Sequence, residues 1–484
     1  MLSGLFWSML ERFGQQGILF ITTIIIARIL TPADYGLIGM ITIFIAISLS
    51  LIDSGFGQAL IQRQNATRKD ESTVFFFNII FGIGIYFLLF FIAPLIASFY
   101  KQPILISITR IMGLNLIINS LSLVQNALLT KTIDFKKLSK ITIISVFISG
   151  IIGIIFALKG FGVWALIIQA IIGNIVKTIL FWIMSNWRPL LTFDFISLRS
   201  LFSFGSKLLA AGLLNQFFDN IYNIIIGKIY TPASLGFYTQ AKRIQEFPVT
   251  NTLAILQRVT FPIYSTIQNE TERLKNAYRK TIKAIVLVNF PLMIGMIICS
   301  PLLIKTLLTD KWLPTVPYLQ LLCIIGMLYP LSAVNLNILK VKGRTDIFFY
   351  LEIVKKVLIA LAILVTFRYG IYIMIVGQVC TGFIGHFLNI FYSGRLIKYS
   401  IREQTNDIAM YLFLASGVGV IVYLGGILLN PLPGVMKLIV QVVAFVVLYL
   451  ILTHIFKLEA YKDFRSVVDA KFLNIHESQI NVAT

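Results

Sequence analysis

The sequence predicts an all-α polytopic membrane protein of about fourteen transmembrane helices: two six-helix lobes related by an internal repeat, plus two C-terminal helices. Three observations lead there. The first is composition. Of 484 residues, 58% are hydrophobic and 13% charged, with a mean hydropathy of +0.88, whereas a soluble domain of this size carries roughly 25% charged residues. The second is pattern. Long apolar runs recur without the every-second-residue alternation of barrel strands, so they cross a bilayer as helices, which satisfy their backbone groups internally. The third is a motif written twice. Residues 24–36 read IIIARILTPADYG, and two hundred positions later residues 224–236 read IIIGKIYTPASLG, with eight of thirteen positions identical. In both copies an apolar helix ends at a cation, Thr-Pro-Ala turns the chain, and a Gly opens the next apolar run. Proline lacks an N–H and clashes with the preceding turn, so the motif marks a reversal between two helices. Gln16 and Gln216 match at the same offset. The period is too long for a solenoid and fits two homologous halves of a membrane protein.

Taken in order, the chain opens with MLSGLFWSMLERFGQQG, which lacks a basic region followed by a short apolar core, so no cleavable signal is expected. Spans one to six are read at about 13–30, 36–52, 74–99, 104–129, 141–158 and 163–184, the last four split by Lys101-Gln102-Pro103 and Lys159-Gly160. These form an N-terminal lobe, residues 1–185. Residues 186–200, with Trp187, Phe193 and Phe195, suit an interfacial linker between lobes. Spans seven to twelve, at about 201–230, 236–264, 282–300, 316–339, 347–367 and 371–392, form a C-terminal lobe, residues 201–393. Two further spans, about 408–429 and 435–456, fall in a segment 394–456, and residues 457–484 read as a polar cytoplasmic tail.

The net charge of +21 is distributed as membrane topology requires. Loops after even-numbered spans mostly carry two to five cations, and loops after odd-numbered spans carry two or fewer. The rich side is cytoplasmic by the positive-inside rule, which puts both termini inside the cell (inner) membrane and the Thr-Pro-Ala turns outside. Nucleic-acid binding is therefore excluded as the reason for the charge. Cys299, Cys323 and Cys380 lie in or beside apolar runs at spacings that fit neither a metal site nor a disulfide framework, and His386, His454 and His476 are scattered. With no phosphate loop, zinc motif or nucleophile elbow, nothing points to an enzyme, a catalytic residue, a bound metal or a cofactor.

The chemistry must then come from polar side chains at membrane depth, where charge is costly and faces a cavity or a partner. The seventh span carries the clearest stripe: Gln216, Asp219, Asn220, Asn223 and Gly227 recur at steps of three and four, with Lys207 near the cytoplasmic end. The eighth adds Lys242, Arg243 and Glu246, the first and last spaced as an i, i+4 pair, with Pro248 placed to break the helix just beyond. In the first half the stripe is thinner and includes Arg12 and Gln16. Arg28 and Lys228 sit at helix ends, where a cation offsets the helix dipole, and Glu352 with Lys356 is spaced as an ordinary helix salt bridge.

At this point the residues reach a family. ARILTPADYGLIGM and LIDSGFGQALIQRQ resemble the opening of the polysaccharide-transporter flippases, the Wzx-type branch of the superfamily that also holds the MATE drug exporters. IYTPASLGFYTQAKRIQEFP, DKWLPTVPYLQLL and VKGRTD resemble that family's second half. The resemblance covers nearly the whole chain, and its motifs specify the fold better than the cargo. It implies two six-helix lobes in a V, a cavity lined by helices one, two, seven and eight, and movement of lipid-linked oligosaccharide on undecaprenyl diphosphate to the outer leaflet.

The task suits the residues. An anionic diphosphate sugar needs a wet, cationic cavity, for which Arg12, Lys207, Lys242 and Arg243 are the candidate substrate-binding cations. Gln16, Gln216, Asn220 and Asn223 are candidate cavity polar groups. Asp219 and Glu246 would repel diphosphate, so one of them is expected to bind a coupling proton or sodium ion; the alternative is that Glu246 only orients Lys242. The partners expected are the lipid-linked substrate, membrane lipids and a polysaccharide polymerase. A MATE-type antiporter, a peptidoglycan-precursor flippase and a non-transporting scaffold are the alternatives. The abundance of Lys and Arg argues against the antiporter, and the charges at membrane depth argue against the scaffold.

Overall fold

The computed structural model describes residues 2–53, 55–63, 65–429 and 432–463, with the side chains of 2–13, 196–197, 200–208, 211 and 251–259 outside the description. The described chain is helical, without a strand. In order it forms α1 (Leu2–Ile29), α2 (Pro32–Asp53), a short α3 (Phe56–Gln62), α4 (Arg68–Tyr100), α5 (Leu105–Ser120), α6 (Leu123–Lys131), α7 (Phe135–Leu158) and α8 (Val163–Met184). It continues with α9 (Phe195–Ile229), α10 (Pro232–Thr266), α11 (Thr271–Leu308), α12 (Thr315–Val341), α13 (Thr345–Thr366), α14 (Ile371–Ile397), α15 (Ile401–Leu428) and α16 (Gly434–Ile455), with a 3-10 turn at Asp310–Trp312.

Each apolar run read from the sequence coincides with a helix or a helix pair. The fourth is a pair: α5 and α6 meet at a bend of 44°. Among the described residues nine helices are long and apolar enough to cross a membrane, ten if the bent pair is one span. The helix α13 is not among them, because Glu352, Lys355 and Lys356 put three charges in its middle. Glu352 pairs with Lys355, Nζ lying 2.5 Å from Oε1. The expected break at Pro248 does not occur: α10 runs unbroken through Pro248 and Pro262. A proline in a membrane helix is tolerated where neighbouring groups take up the freed carbonyl.

The chain divides into two compact units, Met1–Thr239 and Gln240–Thr484. In the first, α7 packs on α1 and α8, α4 on α5, and α2 on α9. The stretch after α8, expected as an interfacial linker, is strapped to the start of α4. Trp187 is buried edge-on against Phe75 at 5.5 Å. Its Nε1 donates to Glu71 at 2.7 Å, and the amides of Leu190 and Asp194 donate to the hydroxyls of Ser72 and Thr73 at 2.9 and 3.0 Å. The start of α4 is fixed in turn by a capping box, Thr67 with Asp70. Phe193 and Phe195 stay exposed, as an interfacial reading expects.

In the second unit α12 packs on α14 and α11, and α11 also carries α15 and α16. A charged network joins these last two helices to the rest. Arg279 holds Asp407 with two bonds of 2.5 and 2.7 Å, and Lys283, itself buried, lies 3.0 Å from Asp407 and 2.5 Å from Glu459. Tyr399 donates to the same Asp407. Burial raises the Tyr399 hydroxyl's pKa, which keeps it protonated as a donor.

Candidate functional site

Two hairpins position the polar residues singled out above, and both turn by the same device. Thr31 and Thr231 precede helices that begin on Pro32 and Pro232, the first helical position, where the missing N–H costs nothing. In the first copy Thr31 and Asp34 bond reciprocally: Thr31 N donates to Asp34 Oδ2 at 2.9 Å, and Thr31 Oγ1 to the same oxygen at 2.7 Å. In the second, Ser234 N donates to Thr231 Oγ1 at 3.2 Å. The two turns then meet, within the first unit. A Cβ on Gly36 would overlap the carbonyl of Pro232, and a Cβ on Gly236 would overlap the carbonyl of Pro32. Both glycines are therefore close-approach positions between backbones, a role the sequence reading did not assign. Lys228, in the last turn of its own helix, also reaches a second helix end. Its Nζ donates to the Phe99 carbonyl at 2.5 Å and lies 4.3 Å from the Phe99 ring, so it offsets the C-terminal end of α4.

On α9 the predicted stripe divides. At about 100° per residue, Asn220 and Asn223 fall within about 40° of Gln216, while Asp219 falls about 60° to one side. Asn220 and Asn223 are accordingly buried, joined by a bond of 3.3 Å, and Asn220 also donates to the Gln216 carbonyl at 3.0 Å. Asp219 is exposed. Gln16, on α1, is half-buried. The side chains of Arg12 and Lys207 lie outside the described residues.

Gln216 opens onto a cavity of about 530 Å³ inside the first unit, between α2, α3, α5, α6, α8 and α9. Its polar lining includes Asp53, Gln58, Asn119, Asn126 and Lys177. Asp53 sits at the end of α2, where Oδ1 accepts from the Gly57 amide at 3.2 Å. Sequence reasoning named Gln216 as a cavity residue, read Lys177 only as a cation able to reach the inner interface, and did not single out Gln58, Asn119 or Asn126. Asn119 and Asn126 lie on the two arms of the bent α5–α6 pair, and only the bend, invisible in the apolar pattern, turns them to one space.

In the second unit, Lys242 is half-buried and 3.7 Å from Glu246, so the predicted i, i+4 pair forms, while Arg243 is exposed on the same helix. Two further polar residues of α10 were not anticipated. Gln240 and Gln245 are buried, and Gln245 packs so closely on Gly326 of α12 that a Cβ there would meet its amide. Their signal is weak in sequence, because an uncharged amide in a run with Lys242, Arg243 and Glu246 resembles an ordinary surface position.

Comparison with known proteins places this arrangement. The family model described as polysaccharide biosynthesis protein matches residues 25–317. The chain is 34% identical over 304 residues to the teichuronic acid biosynthesis protein TuaB of Bacillus subtilis, spanning 62% of each chain. It is 26% identical over 370 residues to the lipopolysaccharide biosynthesis protein WzxC of Escherichia coli, covering 75% of this chain and 74% of that one. Among solved structures, the lipid II flippase MurJ in an inward closed conformation superposes with a TM-score of 0.75, at 15% identity, over 96% of this chain and 98% of that one. The chain, with its many apolar helices, is thus a multi-pass membrane protein of the polysaccharide biosynthesis protein family.

Proposed function

We propose that the chain is a flippase that moves undecaprenyl-diphosphate-linked oligosaccharide across the cytoplasmic membrane by alternating access, for surface polysaccharide such as O-antigen, capsule or exopolysaccharide. The observation that carries this reading is the family match over residues 25–317, with relatives named for teichuronic acid and lipopolysaccharide biosynthesis. A fold shared with a lipid II flippase along nearly the full length supports it. In this reading residues 1–185 and 201–393 work as two lobes, 394–456 as added helices, and both termini are cytoplasmic. The role is transport rather than catalysis, and a polysaccharide polymerase is the natural downstream partner.

The cations proposed for the diphosphate are Lys242 and Arg243 on α10, Arg12 on α1 and Lys207 on α9. One of the two carboxylates, Asp219 or Glu246, takes a coupling proton or sodium ion; Glu246 lies 3.7 Å from Lys242 and otherwise orients it. The test is translocation in proteoliposomes holding the purified protein and fluorescent undecaprenyl-diphosphate oligosaccharide, with a cationic dye in parallel. Lipid movement is expected to fall roughly tenfold or more in Lys242→Ala with Arg243→Ala, since a hydrogen bond to a charged group is worth about 1.5–3 kcal/mol. Asp219→Asn or Glu246→Gln is expected to remove the dependence on an ion gradient, and unchanged dependence in both would remove the coupling role. Dye movement without lipid movement would assign the chain to the antiporters.

A further inference from the structure

The cavity in the first unit has a lining whose chemistry differs from that of the α10 cations. Its formal charges cancel, one carboxylate from Asp53 against one ammonium from Lys177. The rest of its polar surface comes from neutral amides and hydroxyls, among them Gln58, Asn119, Asn126 and Gln216. A diphosphate demands a surplus of cations, and a cationic drug a surplus of carboxylates. A saccharide demands neither. Each of its hydroxyls both donates and accepts, which is the capacity an amide offers from its two ends. The volume, about 530 Å³, lies within the roughly 300–1,000 Å³ of small-molecule sites.

The geometry also sets the site on a rigid frame. The Asn119 amide donates to the Asn115 carbonyl one turn back at 2.9 Å, and Asn115 Oδ1 accepts from Asn174 of α8 at 2.7 Å. The wall is thereby tied across helices before any ligand arrives. Gln58 and Asn126, by contrast, are exposed at the mouth and open to a ligand.

We propose that this cavity is a saccharide subsite, which holds uncharged sugar residues of the cargo while cations elsewhere hold its diphosphate. The proposal rests on the transport reading above for the identity of the ligand, but not for the existence of the site. It predicts that recognition of sugar and of diphosphate can be separated by mutation.

The experiment uses the full chain in nanodiscs and three probes: undecaprenyl diphosphate without sugar, the oligosaccharide lipid extracted from the cells that express the chain, and the same oligosaccharide released from its lipid. Binding is read by native mass spectrometry. Gln58→Ala with Asn126→Ala removes two exposed side chains, and an unchanged thermal midpoint confirms the fold. The expected result is a loss of about tenfold in affinity for both sugar-bearing probes and no change for the sugar-free lipid. Equal loss for all three probes, no loss for any, or no binding of the released oligosaccharide by the unaltered protein would overturn the subsite. Lipid movement with unaltered sugar binding in the double variant would sink the subsite and keep the flippase. Oligosaccharide binding that the variant loses, in a protein that moves no lipid, would keep the subsite and sink the flippase.

Discussion

The two hairpins α1–α2 and α9–α10 share their turn and little else. At the shared offset of two hundred, Thr31 meets Thr231, Pro32 meets Pro232 and Gly36 meets Gly236. At these positions away from the turn the first copy is apolar or carries only a hydroxyl where the second carries an amide or a charge: Leu19, Phe20 and Thr23 stand opposite Asp219, Asn220 and Asn223, and Thr42, Ile43 and Ala46 opposite Lys242, Arg243 and Glu246. The difference separates two kinds of constraint. Residues that let two backbones approach cannot vary in either copy. Residues that face a cavity or a partner are free to specialise in one copy, and here the second took the charge.

Breaking the shared part should cost the same in both copies. Gly36→Ala and Gly236→Ala each place a Cβ on a backbone carbonyl, and each is expected to cost about 1–3 kcal/mol or more through overpacking. Thermal unfolding in detergent reads the loss. Gly17→Ala and Gly212→Ala, on the same hairpins but with open space at the Cβ, are expected to be neutral or to stabilise by roughly 0.5–1 kcal/mol. If the two pairs behave alike, close approach is not what the repeated glycine does.

A smaller effect sharpens the comparison at the caps. Thr31→Ala and Thr231→Ala each remove an N-cap, at about 1 kcal/mol. The first should cost more, because Asp34 bonds back to Thr31 and the second copy has Ser234 in that place. The same melting measurement, with Asp34→Ser as a third variant, would show the gap closing.

The smallest effect lies outside both hairpins and serves as their baseline. The hydrogen bond from Lys283 holds the Glu459 carboxylate below its ordinary pKa of 4.5. A carboxylate lowered in the folded state adds stability above its unfolded pKa and loses it as pH falls through the folded value. The attachment of the segment after α16 should therefore weaken below about pH 4.5, visible as faster amide exchange there, and Glu459→Gln should abolish that dependence.

Much of the fold was legible in the sequence because apolar runs and the repeated Thr-Pro turn are local signals. Helix positions, the hairpin turns and the Lys242–Glu246 pair all follow from spacing along one chain. What was not legible depended on non-local geometry. The cavity around Gln216 needs the 44° bend between α5 and α6, and the place of Lys228 needs the end of α4, more than a hundred residues away. The split of the α9 stripe is intermediate. Helical angles alone put Asp219 at its edge, but only packing decides which side of that edge is covered.

The contact between the two turns has the form of an isologous interface. Position 36 touches 232, and 236 touches 32, so the pairing maps onto itself when the copies are exchanged. A two-fold homodimer makes contacts of this kind. Two copies of a half-length chain carrying this motif once would meet in the same way, with one glycine and one proline each. Joining them into a single polypeptide preserves the contact and releases every other position from having to match its twin.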